Sequence, residues 1–431
     1  MSSLTKDEYL NSLKKELSKL NFVPEDKFDS VLTYFHDVDV IGFDIDFTLL
    51  LYNKKHMTHL IYDSLCEFLI KHKNYPEKIR YSENKDFVDA FSCKNIVIDY
   101  KRGNALKLRK DKSIIKAYHG KKELTKEEIY SQYENGTFSV FNISIFYNSD
   151  FCINIDSFQP QNVALFLICV DLFDKGELNI IKDYEDIIKN IGDGMNFNYK
   201  INSFEDFSTF GYYFPEIYKH PELYLYTKYN CEALLDKLRK KGKKLFFATN
   251  SNYSYSHYIL EKVLGENYHD YFDLCFYKSC KPGFFQDPKE SNPKCYFYND
   301  QQEISCTEMS DDTYKKIYEG NHILTGGSYV LVEHFFQKML NKNELKCVFV
   351  GDNIMGDCEV PSRLKNWESV FIFDDIKLDF IGENPDNYQK SFDDVEDEKD
   401  KYDNTLSLYF ENKCCLFALP NVEGFKYLFD S

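Results

Sequence analysis

Residues 42–53 read GFDIDFTLLLYN, an apolar run interrupted by two carboxylates two positions apart, Asp44 and Asp46, with a hydroxyl at Thr48. Together with the preceding VDVI (38–41), the stretch has the form of a short buried strand that ends in polar residues. Side chains alternate along a strand, so residues two apart point to the same side, and both carboxylates are expected to meet at one strand end. Two like charges held that close need a positive partner.

Three further stretches share this grammar. KKLFFATNSN (243–252) follows a helical CEALLDKLRKKG whose Gly242 suits a helix end. YFDLCFYKSCKPGFF (271–285) is the second. LKCVFVGDNIMGD (345–357) follows SYVLVEHFFQKML, for which Ser328, after Gly326 and Gly327, is the N-cap. Strands alternating with helices predict an α/β fold with a parallel sheet covered on both faces. Ligands of such sheets sit beyond the carboxyl ends of the strands. Asp44 and Asp46, Thr249 and Asn250, Lys281, and Asp352 and Asp357 all fall at those ends.

At 431 residues and 43% hydrophobic, the chain can bury the cores of two or three domains. A net charge of −17 disfavours nucleic acid and anionic membranes as partners. Thirteen cysteines without a CxxC pair or zinc spacing, behind a charged N-terminus with no secretory pattern, predict reduced thiols in a cytoplasmic protein. The longest apolar segment, NVALFLICVDLF (162–173), is too short to span a membrane and carries Asp171, so it reads as a core helix.

About 200 residues separate the first two strand motifs, far more than one crossover needs. The chain is therefore expected to form a discontinuous core from residues 1–55 and 226–431, with a cap domain inserted at 56–225. Within the insertion, 101–130 reads as a Gly103-Asn104 turn, two short strands, and a helix opened by Thr125 with Glu128 three residues on. Nine Lys or Arg lie from Lys101 to Lys122, read first as a solvated hairpin face and otherwise as a nucleic-acid patch or a site for an effector's phosphate. The charge run at 391–404 is expected to be a loop or linker, after which the tail returns to the core.

Phosphoryl transfer answers the question the two aspartates raise. A carboxylate can attack phosphorus and carry the phosphoryl group as an aspartyl phosphate, the role assigned to Asp44. Asp46 can protonate the leaving alkoxide and then activate water. Mg²⁺, held by Asp44, Asp352 and the main-chain carbonyl of Asp46, would offset the paired charges. Thr249 and Asn250 are candidate phosphate ligands, Lys281 neutralises charge developing in the transition state, and Asp357 supports the metal's water or Lys281.

Each motif alone also fits a commoner structure: Asp44 and Asp46 a turn or helix cap, residues 249–251 a strand-ending turn, residues 281–283 a surface turn, GDNIMGD an Asx-type loop. Their occurrence together, in this order at four strand ends, favours a site.

The set DIDFT (44–48), ATNSN (248–252), KPGFF (281–285) and GDNIMGD (351–357) resembles the haloacid dehalogenase superfamily in its 5′-nucleotidase branch. RGNALKL (102–108), AYHG (117–120), GYYFPEI (211–217) and NWESVFI (366–372) extend the likeness to the 5′-nucleotidase domain-containing proteins. The resemblance implies a Rossmann-like three-layer α/β/α core with an inserted cap domain, and Mg²⁺-dependent hydrolysis of a phosphomonoester such as a nucleoside monophosphate. It also implies homo-oligomers, which are common in this branch. The second aspartate, Asp46, favours a phosphatase over a dehalogenase. Purine-specific members read the base through a cap segment with His and Lys, which here corresponds to 184–200. No histidine occurs from 120 to 219; Phe197 stands where relatives carry His, and Lys200 is the nearby cation. Phe197 or Tyr199 can stack on a base or pack in a core. That altered cap leaves a second reading open, a nucleotide-binding regulatory protein with little turnover.

Overall fold

The computed structural model describes residues 5–19, 22–92, 94, 96–109, 111–138, 151–154, 158–199, 206–226, 231–373 and 415–429. The acidic run 391–404 and Lys200 lie outside them. The chain divides into two compact units, one running to Tyr52 and resuming at Leu225, the other covering Asn53–Tyr224.

In chain order the strands are β1 (Val40–Phe43), β2 (Ile96–Asp99), β3 (Asn104–Leu108), β4 (Ile114–His119), β5 (Lys122–Glu123), β6 (Phe151–Asn154), β7 (Lys244–Ala248), β8 (Leu274–Tyr277), β9 (Cys295–Phe297), β10 (Ile323–Gly326), β11 (Cys347–Gly351), β12 (Trp367–Ile372) and β13 (Phe417–Leu419). The first unit is built on one sheet in the order β13-β12-β11-β1-β7-β8-β10-β9. Every neighbouring pair is parallel except β10 with β9 at one edge. This is the expected α/β architecture with a parallel-dominated sheet.

The strand β1 sits at the centre because VIGF is apolar throughout and fully buried. Gly42 is needed there, since a Cβ would lie 2.2 Å from the Phe246 ring and 2.7 Å from Phe349. On that face Val40, Phe246, Phe276, Phe349 and Trp367 pack with Leu331, Val332, Phe335 and Phe336 of the helix Tyr329–Leu340. Ser328 caps this helix, accepting from the N–H of Leu331. On the other face Phe43 meets Phe425 (6.3 Å between ring centres), which also packs on Phe35 of the helix Phe28–Asp37 (5.6 Å). The tail does return: β13 pairs with β12, and the turn Val422–Phe429 buries Phe425 and Phe429.

The second unit holds an antiparallel sheet, β5-β4-β3-β2-β6. The helix Gln161–Asp174 is buried along most of its length, as its apolar run predicts. Thr125 and Glu128 form the expected capping box at Lys126–Gln132. The basic stretch is largely matched within the unit. Arg102 pairs with buried Asp99 (3.0 Å), Lys121 donates to Asn84 (2.7 Å), Lys122 meets Glu128, and Lys107 is buried. Among the described residues no helix is long and apolar enough to cross a membrane, and no described cysteine is in a disulfide.

Candidate active site

Each predicted site residue in the first unit follows the carboxyl end of a strand. Beyond β1, the Asp44 N–H donates to the Val350 carbonyl of β11 (2.8 Å), which fixes the residue to the sheet. Its Oδ1 accepts from the Ile45 N–H (2.8 Å) and forms an ion pair with the Lys281 ammonium (2.8 Å). The chain then reverses sharply. Phe47 takes a left-handed conformation (φ 53°), and the N–H groups of Thr48 and Leu50 both donate to the Ile45 carbonyl. This turn brings Tyr52 back onto Asp46, whose Oδ1 accepts from the phenol at 2.6 Å while Oδ2 accepts from the Ser251 hydroxyl at 3.0 Å.

Beyond β7, Thr249 is buried, and its Oγ1 accepts from the Ser251 N–H (3.1 Å), leaving the hydroxyl proton available to a ligand. Asn250, expected at the phosphate, instead engages the loop after β8. Its Oδ1 accepts from the Lys281 N–H (2.6 Å) and the Ser279 hydroxyl (3.2 Å), and its Nδ2 donates to the Lys281 carbonyl (3.0 Å). That loop turns through left-handed Lys278 (φ 50°) and Cys280 (φ 58°), which directs Lys281 inward.

Beyond β11, Asn353 caps a short π-type turn over Ile354–Glu359, accepting from the N–H groups of Met355 and Gly356. Within it Asp357 is completely buried, with Oδ2 accepting from the Asn353 N–H (3.0 Å) and Oδ1 paired to Lys281 (2.7 Å). Gly351 makes room for this carboxylate, because a Cβ there would lie 2.3 Å from Asp357 Oδ2.

Burial is the main force on the ionisable groups. It pushes Asp46 up to about 6, with Asp44 adding to the rise and the bonds from Tyr52 and Ser251 opposing it. Burial likewise pushes Asp357 up to about 7 against the pull of Lys281, with Asp44 adding to the rise. For Lys281, burial alone would lower the ammonium, but Asp357 and Asp44 outweigh it and hold the side chain charged.

The carboxylates of Asp44, Asp352 and Asp357 each offer an oxygen, all within 4.8 Å of one another. Hard oxygen donors clustered in this way fit Mg²⁺ in their chemistry. Of the three, Asp44 and Asp357 share the Lys281 ammonium. The side chain of Asp46 turns to Tyr52 and Ser251, as a group outside this carboxylate cluster.

Two residues in this arrangement escaped the sequence reading. Tyr52 lies at the end of the quoted motif, and Ser251 within ATNSN, yet nothing in spacing alone joins them to Asp46. In the second unit, Phe197 lies in a ring cluster with Phe68 (5.2 Å), His72 (5.1 Å), Phe210 (5.3 Å) and Tyr212 (5.7 Å). A histidine therefore does stand beside position 197, supplied by the helix Lys54–Lys73.

A profile of the 5′ nucleotidase family matches residues 33–415. The chain is 28% identical over 369 residues to 5′-nucleotidase domain-containing protein 1 of Bos taurus, covering 85% of this chain and 77% of that protein. It is 29% identical over 345 residues to the Homo sapiens protein of the same name, covering 79% and 72%. The Homo sapiens 5′-nucleotidase domain-containing protein 2 is 24% identical over 361 residues, covering 82% and 64%. With a family match over most of its length, the chain belongs to the 5′ nucleotidase family.

Proposed function

We propose that this protein is a Mg²⁺-dependent phosphomonoester hydrolase, a 5′-nucleotidase that works through an aspartyl phosphate, on a Rossmann-like three-layer core with 56–225 as its cap. The observation that carries the reading is Lys281, which bridges Asp44 and Asp357 near a third carboxylate, Asp46. An oxygen of Asp44 attacks phosphorus and the bond to the 5′ oxygen breaks. Asp46 gives its proton to that leaving oxygen, then takes one from the water that opens the aspartyl phosphate. The Thr249 hydroxyl donates to a phosphoryl oxygen, while Lys281 neutralises charge that grows in the transition state. Asn250 and Asp357 keep Lys281 in place. When bound by Asp44, Asp352 and the Asp46 carbonyl, Mg²⁺ supplies the positive charge that lets an anionic substrate approach the acidic cluster. Cysteines outside any disulfide, as the described ones are, suit a cytoplasmic location.

The test is Mg²⁺-dependent phosphate release from ribo- and deoxyribonucleoside monophosphates and small sugar phosphates, with Asp44→Asn as the blank. Release above the blank from one nucleotide class supports a nucleotidase. Calorimetric binding of nucleotide without any release would overturn it in favour of a regulatory protein.

A further inference from the structure

The contacts of Asp46 assign roles to two residues outside the mechanism above. We propose that Tyr52 and Ser251 are positioning residues that together hold the Asp46 carboxyl in line for proton transfer to the leaving oxygen; this rests on the hydrolase reading.

Both carboxyl oxygens of Asp46 are engaged, Oδ1 by the Tyr52 phenol at 2.6 Å and Oδ2 by the Ser251 hydroxyl at 3.0 Å. A carboxyl held at only one oxygen can still swing about its Cβ–Cγ bond, whereas one held at both cannot, and proton transfer depends steeply on such geometry. Each partner is itself fixed. Tyr52 is buried, its ring lies 4.9 Å from that of Phe47, its backbone bridges to Leu225, and the neighbouring Leu51 carbonyl accepts from the Tyr226 N–H. The Ser251 N–H donates to Thr249 Oγ1, and its carbonyl accepts from Lys278. The clamp thus ties Asp46 to the loops that carry Thr249 and Lys281.

The chemistry requires some give in this clamp. As two acceptors, the oxygens suit an ionised Asp46, the form that takes a proton from water. For the first half-reaction Asp46 carries a proton, and the P–O bond to the leaving group breaks as that proton moves to the departing oxygen. Phenol and serine hydroxyls can both turn from donor to acceptor, so the clamp persists across the two states.

The experiment compares kcat and KM for a nucleoside monophosphate, whose alkoxide needs a proton to leave, with those for p-nitrophenyl phosphate, whose phenolate does not. Wild type, Tyr52→Phe, Ser251→Ala and Asp46→Asn are assayed together. General-acid catalysis as a whole contributes about 10²–10⁴-fold, so Tyr52→Phe is expected to lower kcat on the nucleotide by about 10–100-fold. Ser251→Ala loses about 3–10-fold, with KM for both within a few-fold of wild type and much smaller losses on the aryl ester. Asp46→Asn sets the limit of the same selective pattern. Equal losses on both substrates, or none on either, overturn the positioning role while leaving the hydrolase reading intact. A wild type inactive on both substrates sinks the hydrolase reading and this inference with it. Tyr52→Phe keeps the ring on Phe47, and Ser251→Ala provides a second variant if the first does not fold.

Discussion

The ammonium of Lys281 lies 2.7 Å from the Asp357 carboxylate, and both side chains are almost wholly withdrawn from water. A buried ion pair of this kind adds little to stability by itself, because desolvation of both charges offsets their attraction. Its value lies in what happens when one half is removed. Asp44 is the second carboxylate on the same ammonium, so the loss of Lys281 leaves two buried acids facing each other.

Lys281→Met is therefore expected to abolish phosphate release and to destabilise the fold by on the order of 3 kcal/mol. The two effects separate with Mg²⁺, which can replace the lost positive charge. Thermal melts with and without Mg²⁺ should show a larger stabilisation by the ion in the variant than in wild type. A variant as stable as wild type without the ion would refute the account of Lys281 as the charge that holds this cluster together.

Gly351→Ala tests the cradle around Asp357. The added methyl would sit 2.3 Å from Oδ2 and 2.4 Å from Cγ, so the carboxylate must move and release either Asn353 or Lys281. Overpacking of this sort costs about 1–3 kcal/mol. Activity is expected to fall by more than tenfold, because Lys281 is then misplaced at the transition state. Steady-state kinetics beside a melting curve decide the matter, and unchanged kcat would contradict the role given to Asp357.

The legible part of this site is the part encoded in short runs. Asp44, Thr249, Lys281 and Asp352 each follow an apolar segment long enough to be a buried strand, so their strand-end placement can be read directly. Thr125 with Glu128 and Ser328 are local hydrogen-bonding patterns and were equally readable. What was hidden depends on contacts between distant segments or on unusual backbone. Tyr52 reaches Asp46 only because Phe47 turns left-handed, and Ser251 arrives from about 200 residues away. β2 pairs with β6 across more than 50 residues, and IVID is buried throughout, so it shows no alternation to mark it as a sheet strand. Asn250 belongs in the same class, since its amide suits phosphate as well as it suits the main chain of Lys281 that it holds.

Removal of metal should silence the enzyme and loosen the fold. The expectation from mass action is a stabilisation by Mg²⁺ of RT ln(1 + [Mg²⁺]/Kd), about 2.7 kcal/mol at a hundredfold excess over Kd, read as a rise in melting temperature with ion concentration. Asp352→Asn is expected to flatten this dependence and to cut turnover by at least about 10–100-fold, the loss seen when a residue that merely orients a metal ligand is removed. Excess EDTA should reproduce the loss in wild type and have no further effect on the variant. Phosphate release that persists undiminished in EDTA would exclude the metal role given to Asp44 and Asp352.

His269 offers a test of stability at a residue with no part in the proposed chemistry. Its ring lies tilted against that of Tyr268 (3.9 Å between ring centres) and its Nε2 is 3.2 Å from the Tyr277 hydroxyl. Burial pushes its imidazole down to about 4, with His322 and His257 adding to the fall. The unfolded chain, with histidine near 6.5, then binds more protons than the native state between these two values, so stability rises with pH across that window. This contribution is complete above about pH 6.5 and is lost as pH falls towards 4. Melting temperatures of wild type and His269→Phe between pH 7.5 and 5 isolate the effect from the carboxylates, which titrate in both proteins. Wild type should lose more on acidification than the variant, and parallel pH profiles would mean that His269 is protonated in the native state without penalty.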